Sequence, residues 1–185
     1  MMWNFIHRLR ASEKGGVMIE AGLAIPILIV LLLAGFEISR LTLLNQKLDR
    51  AATSMADLVS QSKDLTTAQL TDMFSAIQHV MEPFDVGNSG KVIVSSIGTE
   101  GANPTTIYWQ RSGSGTITAT SQIGAEGGNP TLPTGMVITS GEGLIVAEIF
   151  YDYTPFIFWD FVSASQLYHR AFFRPRFGGL DILAP

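Results

Sequence analysis

Apolar residues run almost without interruption from Val17 to Phe36, broken only by Glu20, and no charge falls between Ala21 and Phe36. About 20 apolar residues are what an α-helix needs to cross the hydrocarbon core of a bilayer. A secretory signal sequence is the competing reading, but its apolar region is shorter, about 7 to 15 residues, and closes on a small-x-small cleavage site. Here the run passes directly into Glu37-Ile38-Ser39-Arg40, so the pattern predicts an uncleaved membrane-spanning helix over 16–37. Beyond Glu37, apolar residues recur at Leu41, Leu44, Leu48, Ala51, Met55 and Leu58, alternately three and four apart, with no glycine or proline before Lys63. That spacing predicts a continuous rod of about 45 residues, roughly 70 Å long at 1.5 Å per residue. Its apolar stripe reads as packing on the chain's own domain in preference to a coiled coil with another subunit.

Thr66 or Thr67 can cap a second helix with Leu70, Met73, Phe74, Ile77, Val80 and Met81 on one face, and Pro83 stops it. The two helices, joined by a turn over 62–65, make an amphipathic hairpin spanning 38–82. The texture then changes to β-rich runs punctuated by glycine and proline: Lys91–Ile97, Thr105–Arg111, Thr116–Thr120, Leu144–Tyr153 and Gln166–Phe173. Ser112-Gly113-Ser114-Gly115 reads as a turn, and Ala125–Gly135, with Gly127, Gly128, Pro130 and Pro133, as an exposed loop. Ile145, Ala147, Ile149 and Tyr151 alternate with Val146, Glu148 and Phe150, so both strand faces are partly apolar. One face suits the long helix and the other a neighbour or a loop. Phe156, Phe158, Trp159 and Phe161 read as core, with a membrane-proximal or subunit-facing patch as the alternative. The expected fold is α+β: a long N-terminal membrane helix continuing into a helical hairpin packed on a small antiparallel sheet, with a β-rich head over 83–185.

Composition sharpens this outline. At 185 residues there is room for a membrane segment and one domain. The hydrophobic fraction of 46%, the charged fraction of 15% and the mean hydropathy of +0.27 reflect mainly the N-terminal run. Net charge is -4 and is unevenly placed. Arg8, Arg10 and Lys14 against Glu13 leave the leader, 1–15, basic, whereas the part beyond Glu37 is acidic. By the positive-inside rule the leader stays in the cytoplasm and the head is sent across the membrane, giving a single-pass membrane protein. An acidic head is a poor partner for nucleic acid. The chain has no cysteine, which excludes disulfides, thiol nucleophiles and thiolate metal sites. His7, His79 and His169 fall in separate segments without ligand spacing.

Two residues in the apolar run do not belong to a plain anchor. Pro26 lacks an amide hydrogen and loosens the helix near its start, as an incidental kink or as a functional one. A carboxylate such as Glu20 costs about 2.5 to 3.5 kcal/mol in the middle of a membrane helix. It needs either a partner or a place at the headgroups, where the helix dipole also favours it.

The string Lys14-Gly15-Gly16-Val17-Met18-Ile19-Glu20 resembles the leader junction of type IV pilin-like proteins. The run Gly16 to Pro26, followed by Gly35-Phe36-Glu37 and Arg40, is similar to the opening of TadE/TadG-like minor pilins or pseudopilins of bacterial tight-adherence (Flp) pilus systems. Val146 to Pro155 and Arg174-Pro175-Arg176 are similar to the late and terminal strands of that family. The resemblance implies cleavage between Gly15 and Gly16 by a prepilin peptidase, which makes Glu20 the fifth mature residue. It implies further that Glu20 and Pro26 serve subunit packing and register beside other pilin or pseudopilin subunits and the assembly machinery. Many family members carry an aromatic residue after that glutamate, where this chain has Ala21.

Catalysis is not indicated. Asp152 and Asp160 lack an accompanying nucleophile, pocket or metal cluster, Ser95, Ser163 and Ser165 are dispersed, and no cofactor is implied. The expected function is that of a minor-pilin-like structural protein taking part in pilus assembly. The alternative is an unprocessed single-pass inner-membrane scaffold or binding protein with a periplasmic head. A secreted, released domain is a third option.

Overall fold

The structure, a computed structural model, describes residues 14–100, 104–156, 163–178 and 180–185. The basic leader up to Glu13, with Arg8 and Arg10, and the aromatic residues Phe158, Trp159 and Phe161 lie outside the described residues, as does Asp160.

One helix, α1 (Lys14–Ser60), carries both the apolar run and the stripe that follows it. Its first half projects alone and its second half is the spine of the head. Leu44, Leu48, Ala51 and Met55 are completely buried, as their spacing predicts. Leu58 is not: it is 39% exposed, while Ala52, Ala56 and Val59 are buried instead. A strict seven-residue repeat drifts by about 20° per heptad around an α-helix, which carries Leu58 off the contact face. Packing against both a second helix and the sheet also widens the buried arc beyond a coiled-coil seam.

The second helix, α2 (Thr67–Met81), begins at Thr66, whose hydroxyl accepts from the Gln69 amide while the Gln69 side chain accepts from the Thr66 amide. This reciprocal capping box satisfies two otherwise orphaned donors. Leu70, Phe74, Ile77 and Met81 are buried against α1 and the sheet. A single-turn helix, α3 (Val86–Ser89), capped by Asp85, was not legible as a helix and leads directly into the sheet.

The sheet has four antiparallel strands, β1 (Gly90–Gly98), β2 (Thr106–Gly113), β3 (Gly143–Tyr153) and β4 (Ser165–Phe173), in the order β2-β1-β3-β4. Val92, Val94, Trp109, Ile145, Ala147, Ile149, Tyr151 and Tyr153 join the helices in one core. The hairpin and the β-rich part therefore share a single hydrophobic interior.

The predicted strand over Thr116–Thr120 is absent. Ile117 and Ala119 instead lie across the outer sheet face against Ile93 and Phe150. The segment from there to Ile138 continues as a third layer, in which Ile123, Leu132, Met136 and Ile138 cover Ile97, Ile107, Leu144 and Val146. The covering of the second sheet face thus comes from a loop. The Ser112 to Gly115 turn is also shifted: Ser112 and Gly113 are strand residues, and the reversal falls on Ser114 and Gly115, both at positive φ. The tail closes the far end of the core. Leu180 is buried, its carbonyl accepts from Ser96 Oγ and Trp109 Nε1, both at 2.7 Å, and Ala184 bridges to Thr66.

Candidate functional site

The projecting half of α1 has a composition opposite to that of a soluble surface. Its most apolar 18-residue window has a mean hydropathy of 2.6, and none of it is buried against the rest of the chain. Met18 is 77% exposed, Leu23 68% and Leu32 71%. A surface of this kind is stable only against lipid or other apolar helices. The segment is long and apolar enough to cross a membrane.

All four residues singled out by the sequence lie on this arm. Gly15 and Gly16 are in the first turn of α1, and Glu20 follows one turn later on the same face as Gly16. Glu20 is exposed among apolar neighbours. Pro26 is accommodated inside the continuous helix. Since proline has no amide hydrogen, the Gly22 carbonyl loses its ordinary i+4 donor there. A Cβ built on Gly16, Gly22 or Gly35 would meet nothing within 4 Å, so the chain's own packing does not demand these glycines.

The arm joins the head through a polar cluster that the sequence only half disclosed. Glu37, one residue past the apolar run, is 5% exposed. The Tyr153 hydroxyl donates to its carboxylate, and the Phe156 amide lies 3.2 and 3.3 Å from the two oxygens. Arg40 stands one turn above, 3.6 Å from Glu37 Oε1, and donates to the Thr154 carbonyl at 3.2 Å. Its guanidinium lies 5.6 Å from the Tyr153 ring centroid and 6.0 Å from that of Phe84. Burial, then the hydrogen bond to Glu37, pushes the Tyr153 phenol up to about 12. One signal for this cluster was in the sequence: Glu37 lies four residues before Leu41 and so occupies a position on the buried stripe. Its partners more than 100 positions away carried no local mark.

A second buried carboxylate, Glu148, sits on the outer face of β3. It accepts from the Gln122 amide at 2.9 Å, from the Tyr168 hydroxyl at 2.8 Å and from the Ser121 hydroxyl. Its geometry is that of a latch holding the covering loop. Burial, followed by the bond to Glu148, raises the Tyr168 phenol well above its ordinary value. Asp152 is engaged by Gln166 at 2.8 Å and Ser95 by Gln110 at 2.8 Å. Among the described residues no three His, Asp or Glu side chains are grouped to hold a metal.

Residues 15–57, which take in the arm, the Glu37 junction and most of the stripe, match the family model described as TadE-like protein. Across this segment the chain is similar to that family. The TadE-like match ends before α2, so the similarity noted at Val146 to Pro155 and Arg174 to Arg176 rests on the sequence alone. Both of those segments touch the TadE-like helix: Tyr153 binds Glu37, and Arg176 pairs with Asp57 at 2.7 Å. No curated protein and no solved structure matches the chain.

Proposed function

We propose that this chain is a minor-pilin or pseudopilin-like structural subunit, without catalytic activity, that takes part in assembling a tight-adherence pilus. The observation that carries the reading is the unbroken passage of α1 from an exposed apolar arm bearing Glu20 into the core of the head. In this reading the arm spans the inner membrane, the basic leader is cytoplasmic and the head periplasmic. A prepilin peptidase cuts between Gly15 and Gly16. Two adjacent glycines support access, because each weakens a helix by about 1 kcal/mol relative to alanine, and the first turn of α1 unwinds at little cost.

Cleavage creates an amine at Gly16, and within the apolar layer this amine and the Glu20 carboxylate are costly when unpaired. Pairing the amine with Glu20 of a neighbouring subunit satisfies both and sets the axial register, while Pro26 adjusts the fit between arms. Glu20→Ala is expected to leave membrane insertion intact and to reduce incorporation into sheared pilus fibres. Normal piliation in that variant would sink the mechanism. Mass spectrometry of the extracted protein reports separately on the leader. A retained Met1 or Met2 in cells containing the peptidase, insensitivity to Glu20 and no co-purification with fibres would indicate an unprocessed membrane scaffold.

A further inference from the structure

The base of the head carries an apolar group that the core does not use. Phe156 is 75% exposed, although its backbone is held firmly: Pro155 beside it is buried, and its amide is bound by the Glu37 carboxylate. The exposed ring therefore stands on a fixed support. That support is Glu37, the first residue past the apolar span. Gly16 to Phe36 rise about 32 Å at 1.5 Å per residue, matching a hydrocarbon core of about 30 Å. With the arm inserted, Glu37 is at the outer boundary of the core, and Phe156 is tied to the same level.

The surroundings suit that level. Phe36 and Ile38 on α1 are 53% and 66% exposed. Arg40 stands one turn above, its side chain 30% exposed, so the exposed rings at this level are those of Phe36 and Phe156. Aromatic rings with a basic group just outside them are the composition of a membrane interface.

We infer that the base of the head is itself a lipid-binding surface, in which Phe156 enters the outer interfacial layer of the bilayer and gives the head a second point of attachment beside α1. This rests on the reading of α1 as a membrane helix and goes beyond it. A helix alone leaves the head free to tilt, whereas two points fix its face toward the membrane. The occupant is lipid because the exposed ring is continuous with the apolar span and tied by hydrogen bonds to its last turn.

The absence of cysteine permits single-site labelling of the full chain in lipid vesicles. Phe156→Cys keeps the backbone amide that binds Glu37. Val137→Cys is the control for exposure alone, since Val137 is 77% exposed but precedes the end of β3 opposite to Tyr153. Ile29→Cys reports on the span. With an environment-sensitive fluorophore at each site, the Phe156 and Ile29 labels should be quenched by nitroxide-bearing lipid and shielded from aqueous iodide, and the Val137 label the reverse. If the Ile29 label is shielded while the Phe156 label behaves like that at Val137, the second attachment is overturned and the membrane helix stands. An Ile29 label open to iodide would overturn both.

Discussion

Replacing Tyr153 with phenylalanine removes a single oxygen from the junction between arm and head, and its cost can be worked from the geometry. The hydroxyl is completely enclosed, Tyr153 being 1% exposed, and it donates to the Glu37 carboxylate, itself 5% exposed. A hydrogen bond to a charged group contributes about 1.5 to 3 kcal/mol. The carboxylate keeps the Phe156 amide and the nearby Arg40 in the variant, so a value of about 2 kcal/mol is expected. This corresponds to a roughly 30-fold fall in the folded-to-unfolded ratio of the head.

The measurement is urea unfolding of the full chain in detergent micelles, followed by near-ultraviolet circular dichroism. Repeating it with Glu37→Gln and the double variant gives the coupling, which should exceed about 1 kcal/mol for groups in direct contact. The pH dependence supplies an independent check. The folded Tyr153 phenol is raised from 10.0 to about 12, so its contribution is fully present below pH 10 and is lost as pH climbs through about 12. The gap between parent and variant should therefore narrow over that range. A variant within about 0.5 kcal/mol of the parent at neutral pH, with no coupling to Glu37, would refute the account of the junction.

Two further substitutions probe the head. Leu48→Ala, at a site with no exposure, should lower stability by about 2 to 5 kcal/mol through cavity formation, measured by the same urea titration. Gly115 has φ +149, and a Cβ there would lie 1.7 Å from the Gly90 carbonyl oxygen. Gly115→Ala should therefore cost clearly more than Gly127→Ala, which is at φ +80 in open space and bears only the 1 to 2 kcal/mol of a left-handed alanine, roughly; equal midpoints would contradict the close approach.

Local periodicity accounts for what could be read in advance. The apolar run, the three-four stripe and the capped second helix are written in neighbouring residues, and so is the two-faced pattern of β3. The string around Gly15, Gly16, Glu20 and Pro26 is equally local, and all four fall on one helix. Thr116–Thr120 misled because Ile117 and Ala119 alternate as a strand would, yet they are apolar in order to lie on Ile93 and Phe150. Strand order was hidden for a different reason: β1 pairs with β3 across β2 and the whole covering loop, and nothing within either partner specifies the other. The Glu37 junction falls between these cases. A carboxylate on the stripe is visible, whereas Tyr153 and Phe156 become its partners only in three dimensions.

The continuity of α1 also makes it a protractor. Glu37 lies seventeen positions beyond Glu20, which at about 100° and 1.5 Å per residue puts them roughly 25 Å apart along the axis and about 100° apart around it. Glu37 is clamped to β3, so the compass direction in which Glu20 points from the rod is tied to the heading of the sheet. Whatever meets Glu20 inside the apolar layer thereby determines which side of the head turns toward the next molecule, with no contact between the heads required to choose it.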